Sequence, residues 1–419
     1  MRALVLCGGG TKGSYQAGAI KALNELNITF DIVTGTSIGA LNGCLVAQNE
    51  QDRLYQLWDE IEMKHILADE IPDQYDVETI FKNKQKIESF LKSYVKEKGA
   101  DITPFKALIK EYFNNDKLQA SNIIFGCLST SYPSLRPVYI NKQMMKEHGE
   151  DYLLATASCF PIFPIHRFEG KAYIDGGYID NLPIDYAIEL GAKEVIAIDL
   201  SSDPNHDYYV EAANVTYIFP KVDLGLMMNF DRNLLNRNIR LGYLDVYKAF
   251  GKYQGIKYTF KPYQNLSFAK DTYSLMQKID LSIIKNSIRS KEVVFAQLKE
   301  ELHKKVLSYD DVIYGLMDHL MDLSDFAIEE VHDFETVAHK IVHEYAASYE
   351  SDYELVPKKV IDVITYIKEL DKQAMMEKLV HLTLFGDNKL INKNILYTLL
   401  PFESALANFV ILLKEKFYD

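Results

Sequence analysis

Ala3-Leu4-Val5-Leu6-Cys7-Gly8-Gly9-Gly10-Thr11-Lys12-Gly13 and, one βα unit later, Gly35-Thr36-Ser37-Ile38-Gly39 decide how this chain folds. An apolar run too short for anything but a strand enters three glycines and leaves into a helix. In the second block, glycines two before and two after Ser37 remove side chains that would clash in a tight strand-to-helix turn, which leaves the serine hydroxyl exposed at a helix N-terminus. The Gly8 to Gly10 loop offers backbone N–H groups with no Cβ in the way, the requirement for holding a tetrahedral oxyanion. Nucleophile and oxyanion donors before residue 40 predict serine-hydrolase chemistry.

Working outward, Tyr15, Gly18, Ala19, Ala22, Leu23 and Leu26 recur at helical spacing, and Phe30 to Thr34 reads as the next strand. Strand, helix, strand, helix predicts an α/β fold on a mostly parallel sheet. Residues 51–117 are helical in pattern and charge-rich, broken at Pro72 and Pro104, and read as an insertion over the sheet able to serve as a lid. Asn122 to Leu128 resumes as a strand with Arg136 to Ile140 as its hairpin partner, and a helix from Tyr152 to Ser158 is stopped by Pro161 and Pro164. Lys171 to Asp175 is a short strand entering Asp175-Gly176-Gly177. Asn181 reads as the cap of a helix with Pro183 in its first turn; Gly191 ends that helix before the strand Val195 to Ile198. Val215 to Phe219 and a helix from Arg232 to Phe250 close the α/β region. Strand signals then fade, which places an α/β domain at 1–265 and an all-helical domain at 266–419.

A chain of 419 residues with 48% apolar content fills a substantial core. Its net charge of -13 argues against a protein whose task is to neutralise phosphates, so no nucleic-acid partner is expected. Cys7, Cys44, Cys127 and Cys159 lie far apart without a C-x-x-C, which favours a reduced compartment. The opening strand lacks a signal-peptide core and cleavage site, and no window of about 18 residues is free of charge or proline. A cytoplasmic protein, with peripheral contact at a membrane surface as an option, is the expectation. Ile395 to Leu413, interrupted by Pro401 and Glu403, reads as a buried helix pair, with a membrane-surface contact as the alternative.

A serine hydroxyl needs a base within hydrogen-bond reach. Asp175 is the candidate, because Gly176 and Gly177 permit the tight turn and close backbone approach of a catalytic loop; alone, Asp-Gly is also a common hairpin turn. Taken together and in order, Gly8-Gly9-Gly10-Thr11-Lys12-Gly13, Gly35-Thr36-Ser37-Ile38-Gly39 and Asp175-Gly176-Gly177 resemble the three signature blocks of the patatin-like phospholipase family. Ala155-Thr156-Ala157-Ser158, Phe160-Pro161-Ile162-Phe163-Pro164 and Asn181-Leu182-Pro183 support the likeness, which covers residues 1 to about 220. The resemblance implies a three-layer α/β/α fold, a Ser-Asp dyad without histidine, and hydrolysis of fatty-acyl esters of lipids through an acyl-enzyme. It makes Ser37 the nucleophile, Asp175 the base, and Gly8, Gly9 and Gly10 the oxyanion hole, with most weight on Gly9 and Gly10. Lys12 stands where the family carries a basic residue and is a candidate head-group contact. Neither a metal nor an organic cofactor is implied; the partner is a lipid or acyl-ester substrate, and the oligomeric state is left open.

Other readings compete. Gly8, Gly10 and Gly13 also fit the dinucleotide fingerprint G-x-G-x-x-G, but the acidic residue it expects at the end of the second strand is replaced by the serine turn, with Asp31 at that strand's start. A histidine-containing triad has little support: His166 reads as a hairpin residue, and His339 and His343 lack the glutamate of H-E-x-x-H. A carboxylesterase or thioesterase acting on soluble esters, and a non-catalytic scaffold keeping the fold, are the remaining alternatives. The amphipathic segments Leu281 to His303 and Val356 to Leu384 suit a packed bundle, or a domain that shapes the acyl pocket or mediates self-association.

Overall fold

The computed structural model describes residues 1–68, 100–286, 292–350, 365, 370–386, 396 and 398–417. The centre of the expected insertion, residues 69–99, lies outside them, and with it the expected lid. The chain divides into two compact units, Met1–Phe250 and Gly251–Asp419.

The first unit is built on an eight-stranded sheet. The apolar runs found in sequence form β1 (Arg2–Leu6), β2 (Ile32–Thr36), β7 (Glu194–Ile198) and β8 (Val215–Ile218), which lie parallel with β3 (Ile124–Ser131) in the order β3-β2-β1-β7-β8. β4 (Pro137–Asn141), β5 (His166–Phe168) and β6 (Lys171–Asp175) complete it in antiparallel pairing. Residues 3–6 of β1 and all five of β2 are buried, as expected of strands covered on both faces.

Adjacent residues of β3 show the two covered faces. Phe125 points at the helix α2 (Ile38–Ala47), where a Cβ on Gly43 would lie 3.6 Å from its ring, while Gly126 meets Tyr186 of the helix Ile184–Glu189. Side chains alternate across a strand, so these helices cover opposite faces, giving the three-layer α/β/α arrangement. The small residues of α1 (Gly13–Glu25) also have a packing reason. A Cβ on Gly18 would lie 1.8 Å from Ile239 O, and one on Gly242 1.9 Å from Tyr15 O, so α1 and the helix Arg232–Ala249 touch backbone to backbone.

The strand register sets up the site. β2 runs parallel to β3 and ends with Thr36 opposite Leu128; β6 arrives antiparallel along β3 and ends with Asp175 opposite Ser129. Two strands thus meet head to head against one strand, and the residues leaving them emerge together.

Among the described residues, the second unit is helical with a two-stranded parallel pairing of Thr259–Phe260 with Val331–His332. Phe260, Phe268, Phe334 and Phe409 centre its core, and the helices Leu266–Asn286, Tyr309–Met321, Phe334–Glu344 and Pro401–Phe417 contribute to it. Residues 251–265, grouped by sequence with the α/β domain, pack here through Tyr258 and Phe260. The buried Asp280 carboxylate accepts hydrogen bonds from the Val293, Val294 and Phe295 N–H groups at 2.8, 2.9 and 3.1 Å, satisfying donors that a helix start leaves free. Of the segment Ile395 to Leu413, the described helix Pro401–Phe417 buries Phe402, Phe409, Val410 and Leu413. Among the described residues no helix is long and apolar enough to cross a membrane.

Candidate active site

Ser37 sits between β2 and α2 with φ 54° and ψ -127°. A left-handed φ is costly for a residue with a Cβ, and here it is held by its surroundings. A Cβ on Gly35 would lie 2.5 Å from the carbonyl carbon of Gly39, and one on Gly39 2.2 Å from Leu6 O. The turn therefore closes only with glycine at both flanks. The Ser37 N–H donates to Thr156 Oγ1 at 3.0 Å, and the Thr156 hydroxyl donates in turn to Leu128 O, anchoring the turn to β3.

Asp175, the last residue of β6, is buried beside Ser37. Its Oδ1 accepts the Gly177 N–H at 2.8 Å, which is why the turn Gly176–Tyr178 follows at once. Burial pushes the carboxyl up to about 6, opposed by hydrogen bonds from the Ser37 hydroxyl and the Gly177 N–H. Such a group is largely ionised at neutral pH yet has proton affinity well above that of a solvated aspartate.

In the glycine loop, Gly8 donates its N–H to Asn181 O at 3.0 Å and accepts from Asn181 Nδ2 at 3.0 Å. Its N–H is thus committed within the protein. Among the described residues, the Gly9 and Gly10 N–H groups have no hydrogen-bond acceptor. Gly10 has φ 57° and lies so close to the 226–230 segment that a Cβ would fall 2.2 Å from Met227 O. Gly13 opens α1 against Ile38 and Trp58, Gly176 approaches Leu128 O, and Lys12 is half-buried on the short turn Gly10–Lys12.

Ser37, Asp175 and the glycine loop open onto a cavity of about 470 Å³. Gly8, Gly9 and Gly10 line it; Lys12 does not. Its remaining walls are chiefly apolar, with Trp58, Phe105, Phe163 and Met227 prominent. A buried chain of amides joins that wall to the loop: Gln16 Nε2 donates to Cys7 O at 2.7 Å, Asn42 Nδ2 to Gln16 Oε1 at 2.9 Å, and Trp58 Nε1 to Asn42 Oδ1 at 3.0 Å.

Several functional contacts escape sequence reasoning. Asn181, expected to cap a helix, instead clasps Gly8, and the helix Ile184–Glu189 has no side-chain cap because Pro183, two residues on, occupies the cap position. Thr156 belongs to the Ala-Thr-Ala-Ser run, but nothing in its spacing reveals that it holds the Ser37 N–H. His166 is on β5 with Nε2 2.9 Å from Asp151 Oδ1; burial lowers its pKa, and it does not line the cavity. Among the described residues no cluster of His, Cys, Asp and Glu could hold a metal ion, and the four cysteines are free thiols.

The sequence blocks that build this site match a known family over residues 4–188, that of the Patatin-like phospholipase. Residues 4–188 form a patatin-like phospholipase domain. The chain is 29% identical over 215 residues to patatin-like phospholipase domain-containing protein 7 of Rattus norvegicus, a stretch covering 49% of this chain and 14% of that protein. It is 30% identical over 201 residues to lysophospholipase nte1 of Aspergillus terreus, covering 48% of this chain and 12% of that protein. The chain therefore spans only a small part of the length of these curated relatives. Among solved structures, VipD from Legionella pneumophila aligns over 98% of this chain and 90% of its own at 13% identity and a TM-score of 0.36, too low to set residue correspondences.

Proposed function

We propose that this protein is a serine acyl-hydrolase that cleaves fatty-acyl esters of lipids through a Ser37–Asp175 dyad. The observation that carries the reading is the convergence of three things at one cavity: a serine held at φ 54°, a buried carboxylate raised to about 6, and an apolar volume of about 470 Å³ that both line. The patatin-like domain and the printed names of its relatives support it.

As Ser37 Oγ bonds to the ester carbon, Asp175 takes the hydroxyl proton, and the carbonyl oxygen becomes an oxyanion facing the free N–H groups of Gly9 and Gly10. Gly8 serves the hole through its clasp to Asn181 rather than as a donor. Collapse breaks the bond to the alcohol oxygen, which leaves with the proton from Asp175. Water then attacks the acyl-enzyme, giving its proton to Asp175; the fatty acid departs as Ser37 regains a proton. The apolar walls favour an aliphatic chain, since burying each methylene is worth about 0.8 kcal/mol. Lys12, off the cavity lining, can meet a head group only outside it.

Fatty-acid release from phosphatidylcholine, lysophosphatidylcholine and a series of p-nitrophenyl esters tests the reading. Turnover of lipid esters that falls to background in Ser37→Ala is expected. Turnover confined to short soluble esters, or equal in wild type and Ser37→Ala, would overturn it.

A further inference from the structure

Leu135 is an expensive residue for its position. It has φ 51°, where glycine or asparagine is cheapest, and it is 55% exposed at the tip of the β3–β4 hairpin, so it satisfies neither backbone nor burial. It does not stand alone. Tyr132 in the same hairpin lies 6.4 Å, centroid to centroid, from the Phe160 ring; Tyr178, which follows Asp175, donates its hydroxyl to Phe160 O. Tyr178 and its neighbour Ile179 are 45% and 42% exposed, and Tyr178 also lines the catalytic cavity. An exposed apolar strip therefore runs from the hairpin tip to the cavity edge.

The strip is also electrostatically distinct. Residues 131–137, 159–164 and 176–179, which build it, contain no aspartate or glutamate and one cation, the exposed Arg136, in a chain of net charge -13. Apolar side chains beside the cavity, with no carboxylate in the exposed hairpin 131–137 and a guanidinium at its tip, suit a surface whose interior is hydrocarbon and whose rim is anionic.

We propose that the hairpin tip Leu135–Arg136, with Tyr132, Phe160, Tyr178 and Ile179, is a docking edge that seats this protein on an anionic lipid bilayer and presents the cavity to it. The proposal rests on the acyl-hydrolase reading for its choice of occupant, but its test reads binding without turnover.

The probe is sedimentation with extruded vesicles of phosphatidylcholine and phosphatidylglycerol, using Ser37→Ala protein so that no lipid is consumed. Leu135→Asn suits the left-handed backbone better than leucine, so the fold should hold, and it should weaken vesicle binding roughly tenfold. Leu135→Trp should bind at least as well as leucine, and Arg136→Gln should lose about fivefold, on anionic vesicles only. In the Ser37 background, Leu135→Asn should leave turnover of a soluble short-chain ester unchanged. The control is Val306→Asn, at a side chain 77% exposed in the second unit, which should not alter binding. Vesicle binding absent in the parent protein, unchanged in Leu135→Asn, or equally reduced in Val306→Asn would overturn the proposal. So would a dimer that Leu135→Asn converts to monomer in light scattering, which would assign the edge to a second copy of the chain. Loss of vesicle binding in Leu135→Asn beside absent ester turnover in the Ser37 protein would reject the acyl-hydrolase reading alone.

Discussion

Thr36 and Asp175 pair with consecutive residues of β3, Leu128 and Ser129, from opposite directions. Ser37 and Asp175 lie 138 positions apart in sequence. They are nonetheless brought together by strand pairing, with Ser37 one residue beyond Thr36 in the turn that Thr156 anchors. Pairing of this kind holds the proposed nucleophile and base at the ends of rigid elements, where small displacements are resisted by ladder hydrogen bonds.

The pH dependence follows from Asp175. With its carboxyl raised to about 6 by burial, the base form dominates above that value and is lost below it. Rates of acyl-enzyme formation measured from pH 4.5 to 8.5 should rise through a midpoint near 6 and then level. A rate that stays level down to pH 4.5 would show that no group raised to about 6 governs the step.

Asp175→Asn should separate activity from stability. Turnover should fall by roughly 10²- to 10⁴-fold as the base is lost. Because the folded pKa lies above the unfolded one, ionised Asp175 destabilises the fold at pH above 6, and the penalty fades as pH falls towards the unfolded value. Asparagine removes it. The variant should therefore melt higher than wild type at pH 8, by at most about 3 kcal/mol, with the gap closing near pH 4. Melting curves at the two pH values check this.

Thr156→Val keeps the side-chain shape but deletes the oxygen that accepts the Ser37 N–H and the hydroxyl that serves Leu128 O. Leaving such groups unpaired should cost about 1–3 kcal/mol in a denaturant titration. Loss of the anchor should also lower kcat with little change in KM. Thr156→Ser should restore both.

Gly10→Ala and Gly170→Ala form a matched pair. Both positions have a left-handed φ, 57° and 72°, but a Cβ at Gly10 would meet Met227 O at 2.2 Å while one at Gly170 meets nothing within 4 Å. Gly170→Ala should cost about 1 kcal/mol in stability without touching activity. Gly10→Ala should cost more and abolish turnover, because the loop must move to admit the methyl.

Asn42→Leu breaks the amide chain between Cys7 O and Trp58 Nε1. The indole N–H and Gln16 Oε1 would lose their partner, at about 2–4 kcal/mol together, while Gln16 Nε2 keeps its bond to Cys7 O. With the Trp58 wall loosened, KM for long-chain esters should rise more than for acetate esters, which a chain-length series would detect.

Much of this architecture was legible in the chain because its cues are local. The strand runs, the glycines flanking Ser37 and the Asp-Gly-Gly turn each declare a backbone geometry within a few residues. What was not legible depends on pairing between distant segments. Nothing in the neighbourhood of Thr156 says that its hydroxyl ends at Leu128 O, and Asn181 looks like a helix cap until the glycine loop is seen beneath its amide. The silencing of the Gly8 N–H has the same origin, since three adjacent glycines look equivalent in sequence and only the contact with Asn181 distinguishes the first. The end of the α/β unit near Phe250 was hidden because Tyr258 and Phe260 are as apolar as the strands before them; their ring partners, His332 and Phe334, lie more than seventy residues later.

The central claim is that Ser37 is a nucleophile activated by Asp175. Incubation with a fluorophosphonate, followed by intact mass and peptide mapping, tests it most directly. A single adduct on Ser37, absent in Ser37→Ala and formed far more slowly in Asp175→Asn, is the predicted result. An adduct elsewhere, or none with detergent micelles or lipid vesicles present, would contradict it.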